Sequence, residues 1–206
     1  MMARFQPELH IITSGKQSPR EVIHICTLVH HLVDAIHLRE CSWSSRCLYD
    51  TILALRSSGV PAEKLVINDR VDMALLTGVE RIQLGSRSVG PSHIKKKFPS
   101  IKIGVSVHDA VEAEEAGMAG ADSVILGNIY RTDSKPGKAG IGVGAIRKVK
   151  DRLPVVGIGG ITPNNAAEVI RAGATGIAVL SGVFLSRDPQ RAAEEYRLSI
   201  KGAEVL

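Results

Sequence analysis

The sequence predicts an α/β fold, specifically a (β/α)8 TIM barrel, on two observations. Eight short runs rich in β-branched residues, at 9–13, 35–39, 65–68, 81–85, 101–107, 123–129, 155–159 and 175–181, are each followed by a segment of helical character. The cycle takes up nearly all of the 206 residues with no linker or shift in composition, so the chain reads as one domain over 1–206. Eight such units close a parallel sheet into a barrel. That places an active site at the C-terminal strand ends before any motif is read, with phosphate favoured after strands seven and eight.

Punctuation sets the helices in order. Pro19 after Ser18 opens the first, with Val22, Ile25, Leu28, Val29 and Leu32 as its apolar stripe. Ser44 or Ser45 caps the second, which carries Leu48, Ile52 and Leu55 and stops at Gly59. Asp69 is expected to cap a short third helix through Leu76. Pro91 opens the fourth, whose Lys95, Lys96 and Lys97 complement the helix dipole and are expected to be solvated. Asp109 caps the fifth, over 110–116, with Gly117 as its stop. Gly140 to Gly144 precede the sixth, and Thr162–Pro163 and Asp188–Pro189 open the last two.

Composition narrows the function. At 44% hydrophobic residues, with no apolar run of spanning length, the chain is not expected to enter a membrane. The first seven residues lack the apolar core of a signal peptide, so a cytoplasmic location is expected. Cys26, Cys41 and Cys47 are odd in number and lack paired metal spacing, which argues against a disulfide framework. The net charge of +5 fits an anionic, phosphorylated substrate. Nucleic-acid binding has little support, because aromatics are only 3% and no helix-turn-helix accompanies the charges.

Period-two alternation places His37 and Arg39 on one face of the second strand, and Gly104, Ser106 and His108 on one face of the fifth. A cation pair aimed into the barrel top calls for an anion, and histidines converging there are candidates for proton transfer. Gly157 to Gly160 end the seventh strand, and Ser181–Gly182 the eighth. Glycine turns at these two positions let backbone N–H groups of Gly159, Gly160, Ser181 and Gly182 approach a phosphate. The long connection at 131–142 adds Thr132, Ser134 and Lys135, with three glycines, as a cation-bearing loop over the same face.

The stretches IHLRE (36–40), LVINDRVDMAL (65–75), IQLG (82–85), GVSVH (104–108), GNIYRTDSK (127–135), VVGIGGITPNN (155–165) and GIAVLSG (176–182) resemble the thiamine phosphate synthase superfamily over nearly the full chain. The synthase joins an aminopyrimidine diphosphate to a thiazole phosphate with magnesium. The TenI-type thiazole tautomerases, its sister branch, aromatise a carboxythiazole phosphate by moving a proton. Three departures favour the tautomerases. Cys41 stands where synthases hold diphosphate with a lysine, the stretch Gly85-Ser86-Arg87-Ser88 lacks their magnesium-binding aspartate, and His37 replaces their pyrimidine-facing glutamine. ELHIIT at the start and RTDSKPG in the long loop point the same way.

The resemblance therefore implies an isomerase of thiamine biosynthesis without metal or cofactor. Its substrate contacts would come from Arg39, Asn68, Ser106, Thr132, Ser134 and the four phosphate-binding backbone positions. Asn128, His37, His108 and Lys135 would be the catalytic set. One departure cuts the other way: tautomerases of this type carry a catalytic histidine where this chain has Asn128, and an amide orients through hydrogen bonds but does not serve as an acid–base catalyst near neutral pH. A residual synthase, a non-catalytic thiazole phosphate sensor and a regulator remain as alternatives, and the branch allows a homodimer.

Overall fold

The structure, a computed structural model, describes residues 6–132 and 137–203. Eight strands run β1 Glu8–Ile12, β2 Ala35–Leu38, β3 Leu65–Asn68, β4 Arg81–Leu84, β5 Lys102–Val107, β6 Ser123–Gly127, β7 Val155–Ile158 and β8 Gly176–Val179. They pair in parallel in chain order and β8 closes on β1, so the expected barrel is what forms.

The helices are α1 Pro19–Val29, α2 Ser45–Ser57, α3 Val71–Thr77, α4 Pro91–Lys97, α5 Ala110–Met118, α6 Gly144–Val149, α7 Pro163–Arg171, α8 Ser181–Phe184 and α9 Pro189–Ile200. Capping follows the sequence at most ends. Ser18 and Glu21 form a capping box on α1, Ser44 accepts from Cys47 N–H on α2, and Asp109 accepts from Glu112 N–H on α5. Buried Val22, Ile25 and Val29 give α1 its core-facing stripe.

Several local expectations fail for identifiable reasons. Asp69 does not cap α3: its backbone turns left-handed at φ 63°, and Arg70 is the residue before the helix. The tight exit from β3 forces this, since Asp69 N–H donates to Gln83 O and Arg70 N–H to Asn68 O. Gly117 lies within α5, and Gly120 at φ 92° makes the turn instead. Lys95 is not simply solvated, because its ammonium reaches Asp122 Oδ2 at 2.7 Å and Ile101 O at 2.8 Å. The turn at Ser181–Gly182 that ends β8 opens the short α8 directly, as the sequence reading expects.

Outward-facing strand residues pack with the helices into one large core that includes Leu9, Ile36, Leu65, Ile103 and Leu126. The interior is divided. Ile12, Ile125, Val156 and Ala178 make a small apolar cluster on one side. His10, His37, Arg81, Gln83 and Ser106 occupy the other, where a barrel ordinarily stacks branched aliphatics. Gly104 makes room for this polar half, since a Cβ there would collide with the Gln83 side chain.

Helix α9 ties the two ends of the chain together. The Arg197 guanidinium donates to Pro7 O at 3.0 Å and Leu32 O at 2.9 Å and pairs with Asp34 Oδ2 at 2.5 Å. Asp34 in turn accepts Leu9 N–H at 2.8 Å.

Candidate active site

A cleft of about 850 Å³ opens at the C-terminal ends of the strands. Its floor is the polar half of the barrel. His37, 2% exposed, enters from β2, Gln83 from β4 and Ser106 from β5. Strand alternation puts them there, because Ile36, Leu38, Ile82 and Leu84 face the helices.

Lys16, Arg39 and Arg131 line the cleft, whereas no aspartate or glutamate does so among the described residues. The far wall is backbone-rich, built from Gly159, Gly160, Ser181 and Gly182 after β7 and β8. Gly159 and Gly160 hold φ of 98° and 64°, a region that side-chain-bearing residues avoid. Gly182 lets the Tyr196 ring pack directly on the chain, and Tyr196 Oη donates to Ile161 O at 2.9 Å. A short helix following β8 is a recurrent phosphate-site feature of such barrels, and α8 supplies it here.

Of the residues picked out from sequence, His37, Arg39, Asn68, Ser106, Asn128, Thr132, Gly159, Gly160, Ser181 and Gly182 all line this one cleft. Lys135 and Ser134 lie outside the described residues. Asn128 is 6% exposed, and its Nδ2 donates to Tyr130 O at 3.1 Å and Ala139 O at 3.4 Å, so its amide is anchored to the loop backbone. His108 is the least central. It sits exposed at the rim, between β5 and α5, with Nδ1 3.0 Å from Glu112 Oε2 on α5.

Sequence reasoning missed Glu8, His10, Gln83, Lys16 and Arg131. For the first three the signal was present, since period-two counting of ELHII and RIQL puts polar residues on the inward face. His10 Nδ1 lies 3.0 Å from His37 Nε2, and His10 Nε2 lies 2.7 Å from Glu8 Oε2. Burial, then the neighbouring His10 and Arg81, hold His37 well below the ordinary histidine range, so it is neutral at pH 7.

The described residues of the cleft do not supply a donor set that fits magnesium. No group of three or more His, Cys, Asp or Glu among the described residues is arranged to hold a metal ion. Ser88 Oγ accepts Gly85 N–H at 2.8 Å and so closes its own turn. Asp69 does not line the cleft, and Cys41 is exposed.

The model of a family described as thiamine monophosphate synthase matches residues 9–183. A thiamine-phosphate synthase from Natronomonas pharaonis is 39% identical over 199 residues, covering 92% of this chain and 91% of the relative. One from Pyrococcus furiosus is 34% identical over 209 residues, covering 100% of both chains. Among solved structures, a thiamine phosphate pyrophosphorylase from Pyrococcus furiosus superposes with a TM-score of 0.80 at 31% identity, over 96% of each chain. A 3-hexulose-6-phosphate synthase superposes at 0.74 with 18% identity, over 94% of this chain and 99% of the other, a likeness of fold alone.

Proposed function

Because the chain belongs to the thiamine monophosphate synthase family, we propose that it is an enzyme of thiamine biosynthesis, and within that family a thiazole tautomerase. The observation that carries this reading is the composition of the cleft. Lys16, Arg39 and Arg131 face it without a carboxylate among its described lining, over a buried neutral histidine. Such a site takes a small dianion and moves a proton, and its described lining offers no carboxylate for a metal–diphosphate complex.

In this reading the phosphate rests on backbone N–H groups of Gly159, Gly160, Ser181 and Gly182. Arg39 meets the substrate carboxylate, with Lys135 as a second cation, and the hydroxyls of Ser106, Thr132 and Ser134 surround the ring. Aromatising a thiazole that bears an exocyclic double bond requires loss of a proton from the saturated ring carbon and gain of one at the exocyclic carbon. His37, neutral and inward-facing, is the base that takes the first and the acid that returns the second. Asn128 orients the ring through its anchored amide, and His108 contributes from the rim at most.

The names of the relatives favour a second reading, a transferase that joins an aminopyrimidine diphosphate to a thiazole phosphate. One experiment separates the two. Purified protein is given the exocyclic carboxythiazole phosphate, and in parallel the two half-molecules with magnesium. The tautomerase reading expects accelerated aromatisation in the first and no thiamine phosphate in the second. Background-rate aromatisation together with thiamine phosphate formation would replace it with the transferase.

A further inference from the structure

We propose that Glu8, His10 and His37 form a proton path inside the barrel, joining the cavity at its N-terminal face to the floor of the substrate cleft. The role of His37 at the substrate end rests on the tautomerase reading. The existence of the path does not.

Three observations carry it. The contacts are continuous, at 2.7 Å from Glu8 to His10 and 3.0 Å from His10 to His37. Both histidines are buried, at 4% and 2% exposure, whereas the Glu8 side chain is 48% exposed toward the lower side. A second cavity of about 500 Å³ lies at the N-terminal face, lined by Glu8, His10 and His37 together with Arg81, Lys102 and Asp122, and His37 borders both cavities.

The polarity of the path follows from its end. An ionised carboxylate only accepts, and the hydrogen bond from His10 holds the Glu8 carboxyl below the usual range. A neutral His10 donating to Glu8 from Nε2 accepts at Nδ1, and His37 then donates from Nε2. This leaves the His37 Nδ1 lone pair, a buried atom with no hydrogen-bond partner among the described residues. The path ends on an unused base.

Transfer balances without leaving a charge inside. A carbon–hydrogen bond of the substrate breaks and its proton bonds to His37 Nδ1. The Nε2 proton of His37 passes to His10 Nδ1, and the Nε2 proton of His10 passes to Glu8. Both histidines end neutral in the opposite tautomer, and Glu8 becomes a neutral acid. His37 then carries its proton on Nδ1 as the acid for the exocyclic carbon, and the return of the two inner protons restores the start. Without Glu8 the imidazolium would have to persist in a buried site already facing Arg81, with Lys102 and Arg197 adding positive charge nearby. Asp122 is the one acidic group besides Glu8 among the described residues lining the lower cavity.

The test uses the full chain and Glu8→Gln, whose amide oxygen still accepts from His10 but takes no proton. Side-chain 15N spectra of histidine-labelled wild type are expected to show His10 and His37 both carrying their proton on Nε2 at neutral pH. In Glu8→Gln the resonances of both should move, although Glu8 touches only His10. A His37 proton on Nδ1 in the wild type, or His37 signals unmoved by the substitution, would overturn the path. In the tautomerase assay, Glu8→Gln is expected to lose about tenfold or more in kcat at unchanged KM. Its multi-proton solvent isotope dependence should become single-proton, and Glu8→Gly should regain rate with added formate. A wild-type rate indistinguishable from background rejects the tautomerase reading alone, and the spectra then decide the path. Unaltered kcat and isotope dependence in an active Glu8→Gln reject the path while leaving the tautomerase standing.

Discussion

Gln83 Nε2 donates to Ser106 Oγ at 3.1 Å across the barrel floor, from β4 to β5. The Ser106 oxygen is thereby used as an acceptor, which leaves its own proton for a ligand in the cleft. Ser106→Ala removes that donor and strands the Gln83 amide, which is 4% exposed. Its KM for the carboxythiazole phosphate is expected to rise about three- to tenfold, the worth of one neutral hydrogen bond. Steady-state kinetics check this.

The cations should act on affinity. Arg39→Ala and Lys16→Ala each remove a charge from a cleft that has no described acidic lining. Ligand affinity is expected to fall about 10- to 100-fold for Arg39, within the range of charge-assisted hydrogen bonds, and less for Lys16. Calorimetric titration with thiazole phosphate at low and raised salt measures both, and the wild type should lose affinity as salt rises.

Proton transfer separates the histidines. His37→Gln is expected to lower kcat about 100-fold, whereas His108→Ala, at the exposed rim beside Glu112, should cost less than about threefold on the same scale. Asn128→His is expected to raise kcat by adding a titrating ring beside Gly159. Equal losses for His37→Gln and His108→Ala in parallel assays would place the base elsewhere.

Gly159→Ala tests the phosphate wall. The position has φ 98°, and an added Cβ would run into both the backbone and the side chain of Asn128. Destabilisation of more than about 1 kcal/mol is expected, together with loss of phosphate affinity. Urea unfolding and ligand titration on the same sample read the two effects.

Stability should fall on mild acidification. The folded His37 takes up its proton only well below 6.5, the ordinary value at which the unfolded chain does so. The unfolded state thus binds more protons between these values, and stability is complete above pH 6.5 and declines as pH drops toward the folded value. The slope reaches about 1.4 kcal/mol per pH unit for one proton. Glu8, lowered from 4.5, adds a loss in the same direction at still lower pH. Urea unfolding between pH 7.5 and 5.5 (about two units, chosen to span the histidine range) should show the decline, and His37→Asn should flatten it.

Much of the architecture was readable because strand alternation and helix caps are local. Residues 35–39 alone place His37 and Arg39 on one face, and Ser18 with Glu21 alone mark the start of α1. Contacts that depend on register between strands were not readable. His10 meets His37 only because β1 and β2 pair with Ile12 opposite His37, across 27 residues of sequence. The Asp69 turn was misread for a related reason: its left-handed backbone answers to hydrogen bonds from the neighbouring strand, which no local pattern encodes. Asn128 is a mixed case. Its position after β6 was legible, but the backbone carbonyls that hold its amide come from a loop whose path the sequence leaves open.

Closure of the barrel by β8, with Arg197 fastening Pro7, Leu32 and Asp34, has a consequence for the chain as it is made. The outer edge of β1 has no partner until residues 176–179 have been synthesised. At ordinary elongation rates that interval is on the order of 10–30 s. An unpaired strand edge invites pairing with other chains, and inward-pointing charge is one of the ways that proteins discourage it. Glu8 and His10 put polar, ionisable groups on the face that a neighbouring nascent chain would have to bury. The residues that give the finished barrel its polar floor also protect its first strand while it waits for the last.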